Sequence, residues 1–297
     1  ERKQEILEII RNTNRRPAQT GKPLYPEEIM AYPNLCEEIE SISRTVDGFS
    51  YRMDILRAKN RGKNCPLFIN IHGGGFIGPH RENDTYFSAY MADQIHGIAV
   101  DLDYTLSDAA PYPVALHQCM DALDYVAEHA NTWGASAKDI SVGGYSAGGA
   151  LTAAMGICCA ERGGFVPKLQ ILCYPPLEYR IPDQYKIDAY DRQIGMERCK
   201  AFADLYFDDK KENFEDIHNS PLYAPREILA KQPKTLILSA GLCNFRYEDE
   251  DYAICLADAG AEVILKRFPE ASHGFIPHFM DGWKEAADLM VREILEK

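Results

Sequence analysis

Val142-Gly143-Gly144-Tyr145-Ser146-Ala147-Gly148-Gly149 is the stretch on which the reading of this chain turns. Ile140, Ser141 and Val142 read as the end of a buried strand, and Leu151 to Ala160 is an apolar run with helical character. Between them stands G-x-S-x-G, formed by Gly144, Ser146 and Gly148. A serine at such a corner must adopt a strained backbone, and glycines two residues before and after it let strand and helix approach closely. The corner presents Ser146 Oγ at the carboxyl end of the strand, over the positive end of the next helix. The alternative is a glycine-rich βα turn with an ordinary serine, so the flanking sequence has to arbitrate.

Upstream, Pro66 to Ile71 is a nearly unbroken apolar run, as expected of a strand buried on both faces. It empties into His72-Gly73-Gly74-Gly75-Phe76. Three consecutive glycines are costly to order. They become reasonable where backbone N–H groups must reach a ligand atom unobstructed, and in acyl transfer that atom is the oxyanion. Around these two motifs strands and helices alternate. Strands are expected at 97–104, 139–143, 168–174, 234–240 and 262–268, and helices at 85–94, 113–130, 147–161, 247–259 and 282–296. Before them come two strands, 38–46 and 51–59, joined by the hairpin turn Asp47-Gly48. This order implies an α/β fold with an eight-stranded, mostly parallel sheet and helices on both faces. Ligands of such sheets sit at the carboxyl ends of the strands.

Two segments stand outside the rhythm. Residues 1–35 hold an apolar helical face (Ile6, Leu7, Ile9, Ile10), then a run broken by Arg15, Arg16, Pro17, Gly21, Pro23, Pro26 and Pro33. That helix either packs on the flank of the domain or lies over the site. From Pro175 to Pro233 no strand pattern occurs; the stretch is rich in aromatic and acidic residues, with a helix around 196–207. It reads as a cap inserted at about 177–224.

Composition narrows the classes. The chain has 297 residues, 46% of them hydrophobic, which suits one large α/β domain or two small ones. A net charge of −13 argues against nucleic acid and anionic membrane as partners. Nine cysteines without a C-x-x-C pair read as reduced thiols of an intracellular, cytoplasmic protein. No signal peptide is visible, although Glu1 leaves open what preceded it. No dinucleotide site is expected, since residues 143–149 lack the G-x-G-x-x-G spacing.

A catalytic serine needs a base, because a free hydroxyl is a poor nucleophile at neutral pH. Of eight histidines, His273 in Ala271-Ser272-His273-Gly274-Phe275 follows the last expected strand and so returns to the edge that carries Ser146. His72 is better placed to brace the glycine loop.

His72-Gly73-Gly74-Gly75, Gly144-Tyr145-Ser146-Ala147-Gly148-Gly149 and His273-Gly274-Phe275, in this order, resemble the hormone-sensitive-lipase-like group of α/β-hydrolases. Asp103-Tyr104, Tyr112 to Leu116 and Ser220-Pro221-Leu222 add to the likeness, which runs from about residue 40 to the end. The resemblance implies an α/β-hydrolase domain over 36–297, a cap built from residues 1–35 and the insertion, and a carboxylesterase acting on short acyl esters without a cofactor or metal. It makes Ser146 the nucleophile, His273 the base, and the N–H groups of Gly74, Gly75 and Ala147 the oxyanion hole. The implied partner is a small-molecule ester, with no nucleic acid and no membrane; a homodimer is left open. An acetyl group on carbohydrate is one natural target, with Phe76, Tyr145 and cap tyrosines crowding the pocket.

One position departs from the family in a way that matters. The family's acid opens a pattern like Gly-x-Asp, and here Gly241-Leu242-Cys243 puts a thiol there. The acid holds the imidazole in one tautomer and stabilises the imidazolium, and its loss in comparable triads costs roughly 10⁴ in rate, about 5 kcal/mol. Three outcomes stay open. Glu178 or Glu248 substitutes; the enzyme is slow; or the scaffold binds a ligand without turnover, as in plant gibberellin receptors. An amidase would need only another leaving group.

Overall fold

The structure, a computed structural model, describes residues 2–12, 24–181, 195–208 and 210–296. The run from Arg15 to Pro23 and residues 182–194 and 209 of the expected insertion lie outside the described residues. In chain order the elements are α1 (Arg2–Asn12), α2 (Glu27–Met30), β1 (Glu40–Val46), β2 (Phe49–Arg57), β3 (Cys65–Ile71), α3 (Glu82–Gln94), β4 (Ile98–Asp103), α4 (Val114–His129), β5 (Ala135–Tyr145), α5 (Ala147–Arg162), β6 (Leu169–Cys173), α6 (Met196–Phe207), α7 (Lys211–Glu215), α8 (Arg226–Leu229), β7 (Lys234–Ala240), α9 (Arg246–Ala259), β8 (Val263–Phe268) and α10 (Trp283–Leu295).

The strands form one sheet in the order β1-β2-β4-β3-β5-β6-β7-β8. Only the pairings of β2 with β1 and with β4 are antiparallel. The remaining pairings are parallel. The β1–β2 hairpin turns on Asp47 and Gly48, both at positive φ, which matches the right-handed twist of the flanking strands. β5 is longer than the expected 139–143, because its start pairs with Cys65 across an irregularity in the β3–β5 register.

The parallel strands divide their side chains between two helical layers, which is why they read as continuous apolar runs. Leu67, Ile69 and Ile71 of β3 pack with Leu116, Cys119 and Leu123 of α4 and Leu151 of α5. Phe68 faces the other way, with Phe87 of α3 and Met290 of α10. Farther along the sheet, Leu172 and Ile237 meet Tyr252 and Leu256 of α9. Tyr145 belongs to the α3/α10 layer, fully buried with its ring edge-on to Phe87. It therefore does not crowd the pocket as expected from the sequence: the side chain before the nucleophile points below the sheet edge.

Helix α1 buries Ile6 against Ala201 and Leu205 of α6, with Ile77 alongside. Arg198 of α6 donates to the carbonyl of Ile10 at 2.9 Å. Between β6 and β7 the described residues hold helices and no strand.

Candidate active site

Ser146 sits between β5 and α5 with φ 53° and ψ −119°. Such a backbone is strained for a serine and persists only where the surroundings fix it. Here the fixing is steric. A Cβ on Gly148 would lie 2.1 Å from the Ile71 carbonyl oxygen, and one on Gly144 would lie 2.4 Å from the Gly148 backbone. The Ser146 N–H donates to the Cys173 carbonyl at 2.9 Å, pinning the corner to β6. Ala147 is the first residue of α5, so its N–H has no acceptor within the helix.

The glycine loop lies beside this corner. Gly74 and Gly75 have φ of 115° and 64°, and no bond from either N–H is found among the described residues. A Cβ on Gly75 would meet the Phe202 ring of α6 at 2.4 Å. His72 donates its Nδ1–H to the Gly73 carbonyl (2.7 Å) and stacks on Tyr104, the bracing role its position suggested. Behind it His80 pairs with buried Asp101 at 2.7 Å.

His273 arrives from the loop after β8. That loop is laced to the turn after β7: the Gly241 N–H donates to the Phe268 carbonyl (2.8 Å) and the Leu242 N–H to the Ala271 carbonyl (3.0 Å). As a result His273 Nε2 lies 2.9 Å from Ser146 Oγ, and His273 Nδ1 lies 3.0 Å from Cys243 Sγ. Tyr174 and Phe245 meet the imidazole edge-on. Burial, with His278 a smaller contributor, pushes the His273 pKa down to about 3, so the ring is neutral near pH 7. Burial also raises the Cys243 thiol well above its usual value, which keeps it protonated.

Neither expected substitute acid reaches His273. Glu248 Oε2 accepts the N–H groups of Leu177 (2.7 Å) and Glu178 (2.9 Å). Glu178 accepts from the Tyr223 hydroxyl (2.6 Å) and from the N–H groups of Arg180 and Ile181. Both carboxylates hold the chain after β6 in place, work that sequence spacing does not reveal. Asp249 in α9 is fully buried beside Ser239, and burial raises its pKa well above the usual carboxyl range. That shift favours its uncharged form, and it makes no contact with His273 among the described residues. No other acid contacts His273 among the described residues.

A cleft of about 430 Å³, counted with its open mouth, lies over Ser146 and is lined by Gly75, Phe76, Ala147, Pro176, Tyr179, Cys199, Phe202, Ala203 and Phe245. Cys199, Phe202 and Phe245 were not singled out by the sequence. Their only signal was membership in an aromatic-rich helix and in the turn that carries Cys243. Among the described residues no cluster of His, Cys, Asp or Glu could hold a metal ion, and no helix is long and apolar enough to cross a membrane.

Residues 68–277 match a family model described as alpha/beta hydrolase fold. The chain is 30% identical over 217 residues to Esterase LipI of Mycobacterium tuberculosis, covering 71% of this chain and 66% of that protein. It is 29% identical over 120 residues to hormone-sensitive lipase of Bos taurus, 40% of this chain and 16% of the lipase. The chain thus spans less than two thirds of the length of either curated relative. Among solved structures, a thermostable esterase from Pseudomonas putida aligns over 97% of this chain and 94% of its own at 25% identity, with a TM-score of 0.76. With the sheet order, the nucleophile corner and a matching model over most of its length, the chain belongs to the alpha/beta hydrolase fold family, in its hormone-sensitive-lipase-like branch.

Proposed function

We propose that this chain is a serine carboxylesterase that hydrolyses small-molecule esters with short acyl groups. The observation that carries the reading is the 2.9 Å separation of Ser146 Oγ and His273 Nε2 at the carboxyl edge of the sheet. Ser146 Oγ attacks the ester carbonyl while His273 Nε2 takes its proton. The N–H groups of Gly74, Gly75 and Ala147 stabilise the oxyanion in a setting that needs no reorganisation. His273 then protonates the leaving alcohol, and water repeats the sequence on the acyl-enzyme. Membership of the family and the esterase names of LipI and the Pseudomonas putida structure support the reaction class.

Helices α1 and α6 act as the cap. Phe202 of α6 over Gly75 leaves little height above the oxyanion loop, which supports an acetyl-sized acyl group. Deacetylation of carbohydrate is the less favoured form of the proposal. Among the described residues Tyr179 is the one phenol lining the cleft, which offers few partners to the hydroxyls of a sugar.

Hydrolysis of p-nitrophenyl acetate and octanoate tests the reading. The acetate is expected to turn over faster than the octanoate, with Ser146→Ala at the uncatalysed rate. Equal rates in Ser146→Ala and the unaltered protein would remove it. They would leave ligand binding on a hydrolase scaffold, the reading that the thiol at 243 favours.

A further inference from the structure

An imidazole can take the Ser146 proton at Nε2 only if its own hydrogen rides on Nδ1. A triad carboxylate enforces this because it only accepts hydrogen bonds. A thiol both donates and accepts weakly. At 3.0 Å from Nδ1, Cys243 could donate instead, leaving the ring hydrogen on Nε2, aimed at the nucleophile. The tautomer therefore depends on where the thiol hydrogen goes.

Its surroundings answer this. Asn244 Oδ1 is placed to accept the Cys243 S–H, at 3.8 Å from Sγ. The Phe245 N–H donates to Cys243 Sγ at 3.4 Å, so one lone pair is already engaged as an acceptor. Asn244 Nδ2 donates to Cys199 Sγ at 3.5 Å, which fixes the carbonyl end of the amide toward Cys243. With its hydrogen turned to Asn244, the sulfur presents its remaining lone pair to His273 Nδ1–H.

We infer that Asn244 is a positioning residue: it takes the Cys243 thiol hydrogen and so keeps His273 in the Nδ1–H tautomer, while Cys199 of α6 orients its amide. The inference rests on the serine-esterase reading for its kinetic consequence. It also joins the cap to the nucleophile, since Cys199 both lines the cleft and begins the chain Cys199–Asn244–Cys243–His273–Ser146.

The test is Asn244→Leu made in the unaltered protein and in Cys243→Asp. A carboxylate has no hydrogen to dispose of, so it makes Asn244 dispensable. In the unaltered protein kcat for p-nitrophenyl acetate is expected to fall about 10-fold or more with KM changed less than about 2-fold. In the Cys243→Asp background the loss is expected to stay under about 2-fold, a non-additivity that a merely structural role does not produce. Equal losses in both backgrounds, or none in the first, overturn the inference. A second readout needs no turnover: ¹⁵N NMR of the imidazole, assigned with His273→Gln. Nδ1–H in the unaltered protein and Nε2–H in Asn244→Leu support it; Nε2–H in the former, or Nδ1–H in both, overturns it. This readout decides the matter even if the unaltered protein is no faster than Ser146→Ala, the result that sinks the esterase reading instead.

Discussion

Two strand-to-helix corners share the carboxyl edge of this sheet, β5–α5 with Ser146 and β7–α9 with Cys243. The first is held by backbone contacts. Gly144, Gly148 and the Ile71 carbonyl pack so tightly that the sequence there has almost no freedom. The second is held by hydrogen bonds from Gly241 and Leu242 to the His273 loop, which involve only the main chain. The side chain at 243 takes no part in those bonds, although it is buried and accepts the Phe245 N–H. Both corners bring a side chain against His273, a hydroxyl 2.9 Å from Nε2 and a thiol 3.0 Å from Nδ1. In this fold the main chain sets the geometry of the site, and the side chain at 243 sets whether a charge stands beside the imidazole.

The contrast can be broken at the first corner. Gly148→Ala puts a methyl group into two backbone carbonyls, at 2.1 Å from Ile71 O and 2.5 Å from His72 O. Loss on the order of 4 kcal/mol or more is expected, read by urea denaturation, together with loss of esterase activity. A stable, active variant would show that the corner is looser than its packing implies.

It can be sharpened at the second. Cys243→Asp is expected to raise kcat/KM by about 10²–10⁴, the share of catalysis a triad acid normally supplies. The pH profile fixes the sign of the cause. With Cys243, the imidazole pKa near 3 keeps the base neutral through mildly acidic pH, so activity holds well below pH 6. A carboxylate beside Nδ1 favours the imidazolium, so the acid limb of Cys243→Asp should move to higher pH. A gain without that shift would mean the new carboxylate acts elsewhere.

The smallest effect concerns an acid that holds structure. Glu248→Ala strands the N–H groups of Leu177 and Glu178, each worth about 1–3 kcal/mol if left buried without a partner. Denaturation should show that loss, with the tautomer of His273 unchanged. A catalytic defect without a stability defect would return Glu248 to the list of triad acids.

Much of this was legible in the residues alone. The eight strands, the hairpin turn at Asp47-Gly48, the Ser146 corner and the approach of His273 follow from alternation, glycine spacing and chain order, all of them local patterns or rules of topology. The sequence also marked residue 243 as the place where the family pattern fails. It did not determine which groups answer that failure. Glu178 and Glu248 carry the right chemistry at plausible positions, yet both carboxylates are spent on backbone N–H groups after β6. Asn244 drew no notice, yet it links two thiols beside the imidazole. The physical reason is range. A strand or a glycine corner is set by neighbours a few residues away, whereas the sharing of hydrogen bonds among groups from β6, α6, β7 and β8 is settled by distances of a few ångströms that exist only after the chain has closed on itself.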